Sequence, residues 1–190
     1  MLTKKLYRRI RAQWKGRIYS DEWILPRVKI LRKYLHYLAG KNVLEVGVNA
    51  GIFAYEITEH AESYIGLEKE AFYYAQAEKT HNYIQNPDTA FFHCDLLTMP
   101  PALTYNAFVG LFVLYHFYPR EIEVFRNTVL PQCDTVLIQL RNGKRKTIKN
   151  GYAFEKPNNT IRFLKNAGFK IVEKRWQPIK RQFITIVGQR

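Results

Sequence analysis

The sequence predicts an α/β fold in which mostly parallel strands form a doubly wound sheet. Two observations indicate it. Short apolar runs ending in or near an acid alternate with helical segments, and the first run leads into a glycine-spaced turn and a helix. The first four apolar runs are residues 42–46, 64–68, 91–95 and 107–113. Near the end of the chain, β-rich runs at 169–175 and 182–188 are joined by a short connection and predict a hairpin.

Two helices are predicted before the first strand. The first is a basic amphipathic helix whose apolar residues recur every four positions among cations: Leu2, Leu6, Ile10 and Trp14. It could lie on an anionic membrane, on RNA or on its own domain. The second carries an apolar stripe from Ile24 to Leu38 and stops at Gly40. We expect residues 1–41 to be a basic helical extension packed on a core domain of residues 42–190.

The turn after the first strand is the most informative stretch of the chain. Gly47 can bring the backbone close to a ligand at a sharp turn, and Gly51 lets a helix begin tight against the strand. Such a turn offers backbone N–H groups to a nucleotide-like cofactor, although plain strand-to-helix turns also carry glycines. The cofactor contacts predicted here are Glu45, Gly47, Val48, Asn49 and Gly51.

Acids at the ends of the next two strands extend this predicted site. Glu68 follows the turn by about 20 residues, the spacing at which a carboxylate accepts two ribose hydroxyls. Asp95 could accept the exocyclic amine of adenine. Both acids could instead be ordinary solvated strand ends, but the carboxyl edge of such a sheet is where ligands bind. The remaining predicted cofactor contacts are Lys69, Leu96 and Phe112.

Over residues 42–190 the chain resembles the class I S-adenosylmethionine-dependent methyltransferases. Glu45 stands two residues before the first glycine, as in their pattern E-x-G-x-G-x-G, with Asn49 and Phe53 in place of the later glycines. Asparagine tolerates the left-handed backbone that glycine would supply. The resemblance implies a Rossmann-like doubly wound seven-stranded sheet, mostly parallel with an antiparallel C-terminal hairpin strand. It also implies S-adenosyl-L-methionine as the cofactor.

A narrower resemblance covers roughly residues 20 to 140. W-x-x-x-R at Trp23 and Arg27, G-x-N-x-G at 47–51 and V-L-Y-H at 113–116 are similar to the family of the tRNA wobble-uridine carboxymethyltransferase and its small relatives. The resemblance implies a tRNA substrate, with Trp23 and Arg27 as substrate contacts and Tyr115 at the junction of cofactor and substrate. If the acceptor is a hydroxyl or an acidic ring nitrogen, His116 is the best-placed general base. Tyr115 and His116 could instead merely cap the strand.

Charge is segregated along the chain. Residues 1–41 carry 12 Lys and Arg against two acids, residues 42–140 carry four against 12, and residues 141–190 carry 14 against two. Basic flanks around an acidic core are typical of a protein that binds a polyanion. We expect nucleic acid rather than membrane, with RNA as the partner and no specificity for DNA.

Other features of the sequence exclude several classes of protein. No apolar run reaches the roughly 18 residues of a transmembrane helix, and the N-terminal region lacks the pattern of a secretory signal, so a cytoplasmic protein is expected. Cys94 and Cys133 lack C-x-x-C spacing and indicate buried thiols rather than a disulfide. The five histidines are scattered, and we expect no metal site. A small-molecule methyltransferase and a non-catalytic cofactor-binding module remain alternatives to the RNA enzyme.

The segment after the fifth predicted strand carries five cations in nine residues, 141–149. A basic loop at the ligand-binding edge of the sheet could contact several phosphates, and each contact adds salt-dependent affinity. The predicted phosphate contacts are Arg141, Lys144, Arg145 and Lys146. A solvated loop is the alternative interpretation.

Replacing Lys144, Arg145 and Lys146 with alanine should weaken RNA binding and leave cofactor affinity intact. Because roughly one counterion is released per neutralised phosphate, the slope of log affinity against log salt should become shallower by about 2 to 3. Filter binding of both proteins to total tRNA across a salt series measures this. An unchanged slope would remove the loop from the RNA surface.

Overall fold

The structure is a computed structural model that describes residues 1–14, 20–141, 156–177 and 183–190. The described residues form seven strands: β1 (Asn42–Val46), β2 (Ser63–Leu67), β3 (Thr89–Phe92), β4 (Ala107–Leu111), β5 (Thr135–Arg141), β6 (Lys170–Gln177) and β7 (Phe183–Gln189). They lie in one sheet in the order β3-β2-β1-β4-β5-β7-β6. β7 runs antiparallel to β5 and β6, whereas β1 to β3 run parallel, as do β4 and β5. The predicted fold class is confirmed.

The helices of the described residues are α1 (Lys4–Arg11), α2 (Asp21–Leu31), α3 (Ile52–Ile57), α4 (Ala71–His81), α5 (Pro119–Val124), α6 (Leu130–Gln132) and α7 (Pro157–Asn166). The second predicted helix is split, because α2 ends at Leu31 and a tighter 3₁₀ helix continues over Arg32–Leu38. A second 3₁₀ helix, Leu114–His116, follows β4, and a π-helical turn, Phe125–Val129, joins α5 to α6. Pro131 lies just beyond that turn and cannot donate an N–H to the helical ladder, which favours a locally widened turn.

By its contacts the chain divides into two compact units, residues 1–104 and 105–190. The first unit contains β1, β2 and β3 in register, with Val43 opposite Tyr64 and Glu45 opposite Gly66. Its helices α1 and α2 share a buried apolar cluster with the start of α3: Leu2, Tyr7, Ile10, Trp14, Ile24, Val28, Ala50 and Ile52. The boundary expected at residues 41 and 42 stays a prediction.

The second unit is built on buried aromatic rings and on the strands β4 and β5, which are buried over residues 107–111 and 135–140. Phe125 lies 4.7 Å from Phe108 and 5.8 Å from Phe117, measured between ring centroids. Packing is close around Gly110 in β4: a Cβ there would come within 2.4 Å of the Leu114 Cδ1 atom, so a larger residue would force that side chain to move. Aromatic pairs of this kind contribute beyond the apolar area that they bury.

Two strands end two or more residues earlier than the sequence pattern predicts. β3 ends at Phe92 rather than at residue 95, because Asp95 organises a turn with its own side chain, and β4 ends at Leu111 because Phe112 adopts a left-handed backbone with φ 65°. Both cysteines are free thiols; Cys133 is buried, whereas Cys94 is only partly covered. Among the described residues, no helix is long and apolar enough to cross a bilayer.

Candidate cofactor site

Three residues of the turn after β1 adopt left-handed backbone conformations. Gly47, Asn49 and Gly51 have φ angles of 75°, 54° and 74°. Asn49 replaces a glycine of the methyltransferase pattern, and its backbone shows the conformation that asparagine tolerates. At Gly51 a Cβ would lie 3.3 Å from the Ala77 Cα, so α4 packs directly on the turn. Glycine is therefore needed at Gly51 both for its φ angle and for this close approach.

The N–H groups of the turn bond within the chain, which differs from the expectation that they are offered to a ligand. The Gly47 and Val48 N–H groups donate to the Leu67 carbonyl at 2.8 and 3.2 Å, and the Gly51 N–H donates to the Val48 carbonyl at 3.0 Å. The Ala50 N–H donates to the Asn49 Oδ1 at 2.9 Å. With the bond from the Asn49 N–H to Glu68, each backbone N–H of residues 47–51 has a partner within the chain, which anchors the turn to β2 and fixes its shape.

Glu68 connects the turn to the end of β2. Its Oε2 accepts the Asn49 N–H at 2.8 Å, and its Oε1 accepts the Glu70 N–H at 2.9 Å. The side chain is buried. Hydrogen bonds from backbone N–H groups to a carboxylate are among the stronger hydrogen bonds in proteins. The acid therefore holds the left-handed turn against the neighbouring strand.

Glu45 is a buried carboxyl group inside the same unit. It is 1% exposed, and its Oε2 accepts the Tyr64 hydroxyl at 2.6 Å. The pKa of Glu45 is raised to about 8, chiefly because the carboxyl is buried; the Tyr64 hydrogen bond opposes the shift, and the negative charge of Glu68 adds to it. The Glu45 carboxyl therefore holds a proton at neutral pH.

Asp95 lies in the turn that follows β3. Its Oδ1 accepts the Leu97 N–H at 2.9 Å, the Thr98 N–H at 3.1 Å and the Thr98 hydroxyl at 3.0 Å. No described residue donates a hydrogen bond to its Oδ2. Leu96 beside it is buried, whereas Lys69 in the loop after β2 is exposed. The structure thus brings Glu45, Glu68 and the turn together and leaves one oxygen of Asp95 available.

Phe112, Tyr115 and His116 follow β4 in the second unit. The left-handed backbone of Phe112 is uncommon for a bulky residue and indicates local strain. Contacts with neighbouring residues stabilise this conformation. Its N–H donates to the Gln139 carbonyl at 2.8 Å, and its ring lies 5.2 Å from that of Phe183. Tyr115 and His116 lie on the 3₁₀ helix with ring centroids 4.5 Å apart. Tyr115 is partly buried and His116 is exposed.

The predicted substrate contacts Trp23 and Arg27 lie one turn apart on α2. The Arg27 guanidinium stacks 3.4 Å from the centroid of the Trp23 ring and is 3% exposed. Trp23 packs against the cluster that contains Ala50 and Ile52. The backbone of Arg141 ends β5, but its side chain and the residues Lys144, Arg145 and Lys146 lie outside the described part of the chain.

Two residues near the site, Tyr64 and Thr80, were not predicted from the sequence. Tyr64 supplies the hydroxyl that bonds Glu45, and Thr80 donates its hydroxyl to the Ala50 carbonyl at 2.7 Å while accepting the Trp14 indole N–H at 3.2 Å. The apolar stripe on the first helix included Trp14 but gave no sign of this bond. In the described ranges, no cluster of three or more metal-ligating side chains occurs.

Comparisons with known proteins bear on the fold. The chain matches no protein-family model and no curated sequence. It is similar to the magnesium protoporphyrin IX methyltransferase ChlM from Synechocystis PCC 6803 solved with bound SAH, with a TM-score of 0.71, 15% identity and coverage of 97% of this chain and 92% of that one. It is also similar to the N-methyltransferase NodS from Bradyrhizobium japonicum WM9, solved with SAH, with a TM-score of 0.72, 14% identity and coverage of 96% of this chain and 97% of that one. The methyltransferase domain of bacterial CtHen1 is similar with a TM-score of 0.66, 12% identity and coverage of 86% of this chain and 97% of that one. The chain has the class I methyltransferase fold.

Replacing Glu45 with glutamine should stabilise the protein without added ligand at pH 8 but not near pH 4.5. The ordinary pKa of the carboxyl is 4.5 and its folded value is about 8, so the parent loses stability as pH rises across that interval. The loss approaches about 1.4 kcal/mol per pH unit, whereas glutamine has no proton to release. Urea unfolding at several pH values measures the difference.

The exposed neighbour Glu70 provides the control for this measurement. Glu70→Gln should change the free energy of unfolding by a similar small amount at every pH. If the Glu45→Gln gain were also independent of pH, Glu45 would be ionised in the folded protein and the burial argument would be wrong.

Proposed function

We propose that the chain is an S-adenosylmethionine-dependent methyltransferase that acts on RNA in the cytoplasm, with tRNA as the favoured substrate. The observation that carries the proposal is the hydrogen bond between the Asn49 N–H and the Glu68 carboxylate. It brings the acid at the end of β2 against the left-handed turn after β1, which is the edge of an open α/β sheet where ligands bind.

The adenosine half of the cofactor fits the acids of the first unit. An ionised carboxylate has about four lone-pair positions, and Glu68 uses two of them for backbone N–H groups, so two stay available for ribose hydroxyls. The Oδ2 of Asp95 is suited to the exocyclic amine of adenine. Further proposed contacts are Gly47, Val48, Gly51, Lys69, Leu96 and Phe112.

The charged end of the cofactor fits Glu45. The carboxyl is protonated at neutral pH because it is buried, and a cation placed beside it favours the ionised form. We expect Glu45 to release its proton when it faces the positive charge of the cofactor. Binding should then become tighter as pH rises.

The chemical step needs alignment more than acid–base catalysis. The cofactor supplies a methyl group on a positively charged sulfur, so most of the acceleration comes from holding an acceptor in line with that methyl. Tyr115 is proposed to contact the substrate beside the atom that accepts the methyl group. His116 is proposed to take the proton that a hydroxyl or ring nitrogen would lose as its bond to the methyl carbon forms and the carbon–sulfur bond breaks, leaving a neutral thioether. Its exposed position allows that proton to pass to solvent.

RNA is proposed as the substrate on two grounds. The basic flanks carry 12 and 14 cations against two acids each, a segregation typical of proteins that bind a polyanion. The narrower resemblance, with Trp23 and Arg27 on α2 and Tyr115 after β4, favours tRNA. On this proposal Arg141, Lys144, Arg145 and Lys146 contact phosphates.

A small-molecule methyltransferase is the second candidate. The likeness to magnesium protoporphyrin IX methyltransferase covers 92% of that chain and favours it. In such an enzyme the basic surface would take no part in substrate binding. A third function, cofactor binding without catalysis, is favoured by the turn in which Asn49 replaces a glycine and each N–H of residues 47–51 bonds within the chain.

Glu68→Ala should weaken S-adenosylmethionine binding by about 1.5 to 3 kcal/mol, or about ten- to hundredfold, because it removes charge-assisted hydrogen bonds to the ribose. It also releases the Asn49 N–H, so part of the loss comes from the turn. Glu70→Ala removes an equal charge two residues away and should leave affinity nearly unchanged. Calorimetry on both variants, with thermal unfolding to confirm the fold, tests the assignment. Equal affinities in the two variants would exclude Glu68 from the site.

The function itself is tested with purified protein, total tRNA and S-adenosylmethionine carrying a labelled methyl group. Label should appear in tRNA, and mass analysis of the digested nucleosides should identify the methylated position. The same analysis of RNA from cells with and without the gene provides an independent test. Intact cofactor affinity with no transfer to RNA would favour the small-molecule enzyme or the non-catalytic module.

A further inference from the structure

Helix α1 separates an apolar inner face from a basic outer face. The inner residues Leu2, Tyr7, Ile10 and Trp14 are at most 6% exposed and belong to the cluster that contains Ala50 and Ile52. The outer face consists of four exposed cations, and we call it the α1 basic face: Lys4, Lys5, Arg8 and Arg9. The inner face differs from the predicted stripe at one position, because Tyr7 is buried whereas Leu6 is only partly buried.

The helix is bonded to the first unit at both ends. At its start, the Leu2 N–H donates to Glu56 Oε1 at 2.7 Å and the Leu2 carbonyl accepts Arg32 Nη2 at 2.7 Å. Arg32 also contacts both oxygens of Glu56, at 2.6 and 2.7 Å, and Glu56 is 1% exposed. This buried, charge-assisted set fixes the start of α1.

Trp14, three residues beyond the end of α1, is linked through Thr80 to the turn after β1, residues 47–51, which we call the cofactor turn. The Trp14 indole N–H donates to the Thr80 hydroxyl at 3.2 Å, and that hydroxyl donates to the Ala50 carbonyl at 2.7 Å. An eight-residue helix is marginal by itself in water, so these contacts and the buried inner face must hold it in place. The α1 basic face is therefore presented on a rigid support beside the turn.

Most of the charge on this helix is left uncompensated. No acid lies in its first turn, and its last turn is basic. Asp21 pairs with Arg8 at 2.6 Å and with Arg11 at 3.1 Å. Within the described residues, Lys4, Lys5 and Arg9 have no ion pair. Like charges one turn apart destabilise a helix, and a bound polyanion relieves that repulsion.

The packing of α1 also distinguishes between polyanions. A helix that binds a membrane surface inserts its apolar face into the lipid, and that face must be free. Here the apolar face is occupied by the protein's own core, through Tyr7, Ile10 and Trp14. Only the charged side is available, which suits the phosphates of a nucleic acid.

We propose that the α1 basic face is a phosphate-binding surface for RNA, held beside the cofactor turn. The inference rests on the proposed function and deepens it, because it assigns part of the RNA affinity to a defined face of the first unit. The contacts are electrostatic and independent of base sequence.

The test compares two triple variants with equal loss of charge. Lys4→Ala/Lys5→Ala/Arg9→Ala removes the cations of α1 that lack an ion pair, and alanine preserves the helix because it is the best helix former. Lys156→Ala/Arg162→Ala/Lys165→Ala removes three exposed cations at α7, which lie in the second basic flank but are not among the proposed phosphate contacts, and is the matched control. The α1 variant should make the slope of log RNA affinity against log salt shallower by about 2 to 3, whereas the control should keep the parent slope. Cofactor affinity should be unchanged in both.

A charge-conserving variant distinguishes loss of charge from a folding defect as the cause of weaker RNA binding. Lys4→Arg/Lys5→Arg/Arg9→Lys keeps each positive charge and should keep the parent slope. Equal slopes for the parent and the α1 alanine variant, with RNA still bound and methylated, would overturn the surface while the proposed function stands. Equal losses in the α1 and α7 variants would likewise overturn it in favour of diffuse attraction.

The remaining arms separate this inference from other outcomes. No RNA binding by the parent at physiological salt would overturn both the surface and the RNA substrate. Phosphatidylserine vesicles are the last probe: α1-dependent binding to them that exceeds binding to total tRNA would overturn RNA as the partner in favour of a lipid surface. Weak vesicle binding that is indifferent to the α1 variant supports the proposal.

Discussion

The hydrogen bond between Glu68 and the Asn49 N–H is the constraint on which the candidate site depends. Gly47, Asn49 and Gly51 adopt left-handed conformations, which cost most side-chain-bearing residues about 1 to 2 kcal/mol. Glu68 holds this turn from the neighbouring strand through a charge-assisted bond at 2.8 Å. The acid that we propose as the ribose ligand is thus also a structural residue, held in position by backbone N–H groups.

Buried charge is the second organising feature of the first unit. Glu45 is protonated because burial and the neighbouring Glu68 raise its pKa, whereas Glu56 is matched by the guanidinium of Arg32. These two carboxyl groups illustrate alternative solutions to the cost of burial. The neutral one directly precedes the turn after β1 and is proposed to ionise when the cofactor's positive charge lies beside it. The paired one fixes the start of α1 and keeps its basic side facing outward.

The left-handed conformation of Phe112 links backbone strain in the second unit to the region proposed for chemistry. The chain must leave β4 abruptly at this residue, and the Phe112 N–H bond to the Gln139 carbonyl holds it there. The 3₁₀ helix with Tyr115 and His116 begins two residues later. Strain of this kind tends to persist at functional sites, because the surrounding structure over-determines it.

The order of strands and helices, the left-handed turn at Asn49 and the amphipathic first helix were determined by the sequence alone, because each depends on a local pattern of apolar, acidic and glycine residues. Tertiary structure decided where β3 and β4 end, which donors Glu68 accepts, and that Tyr64 bonds Glu45. It also decided that the apolar side of α1 packs on the cofactor turn. These features depend on strand register and on contacts between side chains that are far apart in the sequence. A local sequence pattern cannot predict such contacts.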